Sequence, residues 1–203
     1  MHATRYELLY FPVRGRAEPI RLLFAAAGVD FTDTRVTDWP TRKATTPFGK
    51  MPVLIERDAD GNEHQVPESM AILRHLARVF GFTGESERAA TAADSIGEAL
   101  VDWRTRFTPV AFAQFAKTEQ SVIDKYWHDL PGTLDLFERL AGKHAGGFLV
   151  GSAPTYADIH AFDTRDANLG MKPGILDGDP TLRALVARVR EIPGVAAYLA
   201  ARQ

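Results

Sequence analysis

Tyr6-Glu7-Leu8-Leu9-Tyr10-Phe11 is a short, largely apolar run that Pro12 and Gly15 break; Ile20, Leu23, Phe24 and Ala27 then recur at helical spacing, and Gly28 supplies a stop. A strand, a turn and a helix so early in the chain commit it to an α/β unit at its N-terminus. A further strand parallel to the first would have to be reached through that helix. In open α/β sheets ligands collect where strands end and helices begin. Tyr10 stands at such an end, with Arg14 and Arg16 close behind it. A phenol and two cations at the start of a helix suit a substrate that carries negative charge. On spacing alone, the simpler reading of Tyr10 is a strand residue that only packs.

The pattern continues in the same style for one half of the chain and then changes. Phe31 to Val36 reads as a second strand, and Asp38-Trp39-Pro40 opens an irregular, partly helical segment ending near Lys43. Pro47 to Pro52 is dense in turn formers. Val53 to Glu56 is a strand, Asp60-Gly61 a tight turn and His64 to Val66 a short partner strand. Ser69 is expected to cap a helix with Ile72, Leu73, Leu76 and Phe80 on one face. The order βαβαββα is the thioredoxin-like arrangement. Beyond a linker at 81–86 the period is helical throughout. Ile96, Leu100, Trp103, Phe107 and Ala111 mark one helix, and Val122 to Leu140 a second that is expected to bend at Pro131-Gly132. Thr155-Tyr156-Ala157-Asp158 reads as a capping box opening a helix through Ile159, Phe162 and Thr164. Leu182, Leu185, Val186 and Val189 mark another, and Val195 to Ala201 a last short one. The expected fold class is therefore α+β: a thioredoxin-like domain at 1–80, the linker, and an all-helical domain at 87–203.

Composition closes several routes. The 203 residues carry a net charge of −2, which gives no bulk drive toward nucleic acid or anionic lipid. The longest apolar runs, such as Leu22 to Val29, are too short to cross a bilayer. Met1 to Phe11 lacks the apolar stretch of a secretory signal, so a cytoplasmic protein is expected. The chain has no cysteine, which excludes disulfides, thiolate-bound zinc and a protein thiol as nucleophile. If thiol chemistry happens here, the sulfur arrives with the substrate. Asp58 to Glu63 resembles a calcium loop, but its glycine is misplaced and the twelfth position is Ser69. The six histidines show no metal spacing, so no metal is expected.

Tyr10-Phe11 followed by Arg14-Gly15-Arg16-Ala17-Glu18-Pro19-Ile20-Arg21, together with Thr46 to Leu54 and Glu68-Ser69-Met70-Ala71-Ile72, resembles the sigma-class glutathione transferases. That group includes the glutathione-dependent prostaglandin D synthases, and the resemblance runs from about Tyr6 to about Leu199. It implies a homodimer with glutathione as co-substrate. Tyr10 would donate a hydrogen bond to the glutathione sulfur, and Arg16 would add positive field there. Met51, before a cis Pro52, would pair its backbone with the cysteinyl backbone of glutathione. Trp39, Lys50 and Lys43 would reach the glycine carboxylate, Glu68 and Ser69 the γ-glutamyl group, and Asp102 the γ-glutamyl ammonium bound in the other subunit. Phe48 would insert into the partner. Phe11, Val13, Phe107, His160 and Thr164 match positions around the apolar second substrate. Glu18 reads as a structural partner for an arginine.

The chain also departs from the pattern. Close relatives carry Gln where Glu68 stands, and Val101 interrupts an acidic ion site found in some members. Pro109 lies near the position where the prostaglandin synthases have a tryptophan, and the tail after Leu199 is shorter. Both differences speak against prostaglandin isomerisation. The expected activity is glutathione transfer to hydrophobic electrophiles. The alternatives are a glutathione-dependent isomerase or ether-cleaving enzyme, or a non-catalytic carrier of apolar ligands.

Overall fold

The computed structural model describes residues 4–113, 117–141, 143–144, 146–175 and 177–202. The chain divides into two compact units, Met1–Gly81 with Ile192–Gln203, and Phe82–Glu191.

In the first unit the strands are β1 (Arg5–Tyr10), β2 (Thr32–Arg35), β3 (Val53–Arg57) and β4 (Glu63–Pro67). They form one sheet in the order β2-β1-β3-β4, with β2 parallel to β1 and the other neighbours antiparallel. Helices α1 (Glu18–Ala27), α2 (Trp39–Arg42) and α3 (Ser69–Phe80) complete the βαβαββα order read from the sequence. Strand alternation sorts the side chains onto two faces. On one, the Tyr6 ring meets Phe24 of α1 at 5.4 Å and Phe80 of α3 at 5.8 Å. On the other, Leu9, Val36, Val53 and Ile55 form an apolar cluster against which Trp39 and Met51 pack. Gly28 ends α1 at φ 64°, a left-handed turn that glycine adopts without strain.

The second unit contains α4 (Glu87–Ala111), α5 (Gln120–Ala141), α6 (Tyr156–Met171) and α7 (Pro180–Glu191), and no strand forms among its described residues. The helical spacing of Ile96, Leu100, Trp103 and Phe107 marks the buried face of α4. Helix α5 runs on through Pro131, at the loss of one backbone hydrogen bond. The expected capping box is present at α6: the Asp158 carboxylate takes the Thr155 N–H at 2.7 Å and its hydroxyl at 2.8 Å. From Tyr156 to Arg165 α6 is buried on every side. Among its polar members, Asp163 is paired with Arg104 and Asn168 with Tyr126, and Arg165 donates to the Leu182 carbonyl, whereas the Thr164 hydroxyl and Arg165 Nε and Nη2 are buried without a hydrogen-bond partner in the described residues.

The last helix, α8 (Pro193–Ala201), packs on α1, and Ile192–Gln203 clusters with the first unit. The reason is a close approach. A Cβ at Gly194 would lie 1.8 Å from the Ala25 carbonyl oxygen, so only glycine lets α8 sit this near α1, and Val195 is fully buried there. One expectation needs correction: Ser69 is not the cap of α3 but its first residue. Glu68 holds the N-cap position, at φ 70° and ψ 119°.

Glu138 of α5 supplies a cap from outside the helix it serves. Its two carboxylate oxygens accept the Thr181 and Leu182 amides of α7 at 2.8 and 2.7 Å. Burial works against the charge, but these bonds outweigh it and hold the carboxyl below its ordinary range. A carboxyl lowered by folding stabilises the fold above its unfolded value and loses that contribution as pH falls through the folded one. Glu138→Ala should cost about 1–2 kcal/mol at pH 7. The difference from the parent protein should shrink in acid, as read by urea denaturation at both pH values.

Candidate active site

A cavity of about 420 Å³ opens in the first unit, lined by Phe11, Arg16, Trp39, Gly49, Lys50, Met51, Pro52, Pro67, Glu68 and Ser69. Its size is that of a small-molecule site, for which roughly 300–1,000 Å³ is usual. Its walls come from three places in the chain: the turn after β1, the segment from α2 to the start of β3, and the junction of β4 with α3.

The Met51–Pro52 peptide is cis. Met51 lies just before β3 begins at Val53, so its backbone is outside the sheet ladder. An extended ligand could pair with it as an added strand. At the next wall the chain passes from β4 to α3 through the single residue Glu68. A positive φ is costly for a residue with a Cβ, and such positions gather at ligand sites. Beyond Glu68 the first amides of α3 have no helical partners, so this corner of the cavity offers donors to an anion.

Tyr10 sits behind the cavity and is not itself among the lining residues. Its carbonyl accepts the Val36 amide at 2.7 Å, which extends the pairing of β1 with β2. Its ring packs on Phe11, with centroids 5.6 Å apart, and under the Arg21 guanidinium at 5.9 Å. The hydroxyl accepts the Arg16 amide at 3.0 Å. Because it is an acceptor in that bond, its own proton remains free to be donated to a ligand atom. Gly15 is what permits the contact. It stands at φ 47°, and a Cβ there would lie 2.6 Å from the Tyr10 hydroxyl.

The remaining expected residues fall as follows. Lys43 is exposed and does not line the cavity, but its side chain runs beside the lining residue Gly49. Phe48, on the same loop, is 63% exposed. Val13 is exposed, whereas Phe107, His160 and Thr164, in the second unit, are almost wholly removed from solvent. Asp102 is exposed on α4, one turn beyond Glu98; two turns earlier, Asp94 accepts a hydrogen bond from Tyr156, so that acidic face is not simply solvated. Gly49 and Pro67 line the cavity without having been singled out, as does the role of Gly15; the two glycines carried a signal in their turn-rich setting. Glu18 is buried against Arg21 at 3.2 Å, the structural pairing expected of it. Among the described residues no group of three or more His, Asp or Glu side chains gathers as metal ligands would. No helix among them is long and apolar enough to cross a membrane.

The model of the glutathione S-transferase N-terminal domain matches residues 6–78, and that of the C-terminal domain matches residues 101–202. The chain belongs to the glutathione S-transferase family. It is 35% identical over 197 residues to glutathione S-transferase P of Caenorhabditis elegans, covering 95% of this chain and 91% of that protein. A sigma-class glutathione S-transferase of Fasciola hepatica superposes with a TM-score of 0.89 at 31% identity, covering 98% of this chain and 97% of the other. Prostaglandin synthase D of Nilaparvata lugens superposes at 0.84 with 27% identity, covering 98% and 99%. Relatives named for the sigma class and for the P type thus stand side by side, and the family's two-part plan accounts for both halves of the chain.

In this family member the tight fit of Gly15 against the phenol is open to a direct test. Gly15→Ala should push the Tyr10 hydroxyl away from the Arg16 amide and lower stability by about 1–2 kcal/mol. Faster hydrogen exchange at Arg16 and a lower urea midpoint are the expected readings.

Proposed function

We propose that the first unit binds glutathione and that Tyr10 holds its sulfur as the thiolate, which attacks an electrophilic carbon of a hydrophobic second substrate. A free thiol has a pKa of about 8.5, so little of it is ionised at pH 7. A phenol O–H aimed at the sulfur stabilises the anion over the thiol. Lowering the pKa by two units corresponds to roughly 2.7 kcal/mol. The thiol proton leaves to solvent. The sulfur lone pair forms the new C–S bond, and the leaving group departs with the electron pair of the bond it breaks. Catalysis then consists of positioning and of holding a nucleophile in its reactive form.

One observation carries this reading: the Tyr10 hydroxyl accepts the amide of Arg16, a residue that lines the cavity, which leaves its proton to the ligand. The other walls suit the rest of a tripeptide. The Met51 backbone beside cis Pro52 fits the cysteinyl segment, Trp39 and Lys50, with Lys43 nearby, fit the glycine carboxylate, and Glu68 with Ser69 fits the γ-glutamyl end. Arg16 on the rim adds positive potential. The helical unit, with Phe107, His160 and Thr164, and the residues Phe11 and Val13 would then serve the second substrate, in a cytoplasmic enzyme.

Tyr10→Phe should leave glutathione affinity within about twofold and reduce the conjugation rate with an activated aryl halide by about 10- to 100-fold near pH 7. Equal turnover by the variant would reject Tyr10 as the activator.

The same reading makes the enzyme a homodimer in which Phe48 is the key inserted into the partner and Asp102 reaches the partner's glutathione. A phenylalanine with 63% of its surface exposed is costly to leave in water. Phe48→Ala should elute as a monomer on gel filtration; an unchanged dimer would refute the role.

A further inference from the structure

We propose that Tyr198 and Arg202, at the end of the chain, are positioning residues for the thiol site, acting through Glu18 and Arg21 on the loop that carries Arg16. The inference rests on the reading of Tyr10 as the thiolate's hydrogen-bond donor.

The connection can be followed bond by bond within the first unit. Glu18 is 1% exposed, and its Oε1 accepts the Tyr198 hydroxyl at 3.0 Å and Arg202 Nη1 at 3.1 Å. Its Oε2 faces Arg21 Nη1 at 3.2 Å. Arg21 is fully buried and donates the same Nη1 to the carbonyls of Val13 at 3.2 Å and Arg14 at 3.1 Å, while its Nε holds the Asp33 carboxylate at 3.0–3.1 Å. Those two carbonyls immediately precede Gly15 and Arg16, whose amide sets the Tyr10 hydroxyl. The last helix thus reaches the phenol through Glu18, Arg21 and the Val13–Arg16 backbone.

Two features make this more than a fastening for α8. A buried ion pair is a poor source of net stability, because desolvating the charges offsets most of their attraction, and an apolar contact of similar size would serve as well. What the charged version does supply is direction, since the planar guanidinium holds the oxygens around its Nε and Nη1 on one side of the group. Second, Tyr198 is held as a donor: burial, and then the facing Glu18 carboxylate, push its phenol up, so its proton stays on throughout the working pH range. Without Tyr198 and Arg202, Glu18 Oε1 would be a buried carboxylate oxygen with Arg14 Nε 3.8 Å away. Glu18 would turn toward that arginine and loosen its hold on Arg21 and the loop.

The test uses the full chain with Tyr198→Phe and with Arg202→Met, each alone and combined with Tyr10→Phe, and follows the thiolate absorbance of bound glutathione against pH. Each single variant should bind glutathione within about twofold of the parent and raise the pKa of the bound thiol by about half to one unit, which from about 6.5 lowers the thiolate fraction at pH 7 by about 1.5- to threefold. On the Tyr10→Phe background neither change should lower it further, and Arg202→Lys should recover much of the loss. An unchanged thiol titration in the folded single variants overturns the proposal, and so does the same fall on the Tyr10→Phe background. Should the parent protein itself leave the thiol at its solution value, the thiolate reading fails, and the relay is then judged on the Arg16 amide. Its hydrogen exchange should be about tenfold faster in Tyr198→Phe, and equal protection overturns the relay on its own.

Discussion

A guanidinium with no exposed surface governs the active half of the molecule. Arginine cannot shed its proton at any working pH, so a buried Arg21 must be surrounded by oxygens. The sequence around it supplies them: two carboxylates, Glu18 and Asp33, and two backbone carbonyls, from Val13 and Arg14. Meeting that demand at Nε and Nη1, while Nη2 is buried without a partner among the described residues, folds the segment after β1 back against the start of α1. The fold-back brings the Arg16 amide to the Tyr10 hydroxyl and places the charge beside the phenol ring. The geometry of the phenol thus follows from the solvation needs of a charge several residues away.

The opposite wall rests on backbone rather than on charge. Val53 and Pro67 pair across β3 and β4, so the two strands reach the cavity side by side, each flanked there by a proline or a strained residue. Cis Pro52 turns Met51 out of the ladder, and Glu68 at positive φ turns the chain into α3 in one step. Met51 and Glu68 both line the cavity, where a ligand can meet their backbone. On the proposed reading one wall recognises an extended peptide, while the other acts on a sulfur atom.

Much of this plan was legible from periodicity. The alternation in β1 and β3, the helical spacing in α1, α3 and α4, and the capping box at Thr155 each have a local cause that a short window contains. What the sequence hid was decided by neighbours far away in the chain. Glu68 carries no mark of a left-handed conformation, since glycine or asparagine would be the ordinary choice, and so Ser69 looked like the cap. Helix α6 is buried all round, which dilutes any one-sided pattern, and its Asp158, Asp163 and Arg165 find partners that spacing cannot name. Helix α8 is apolar enough to pack on either unit. The residue that decided the matter was Gly194, whose lack of a side chain admits the Ala25 carbonyl. Arg21 and Arg202 would each pass for solvated charges, because arginine is seldom buried unless paired.

A protein with no cysteine that works on sulfur has to take its nucleophile from the ligand. Its remaining chemical task is to bias one proton equilibrium on a molecule it does not own. On the reading proposed for Tyr10, a hydroxyl that already accepts a bond is turned so that its proton is left for the sulfur. The Arg16 amide supplies that bond. The scale of the effect is then set by how well the amide is held, since a hydrogen bond to an anion weakens steeply with misalignment. On that reading the charge buried behind a loop of a few residues, and helix α8 from the far end of the chain, serve to hold the amide.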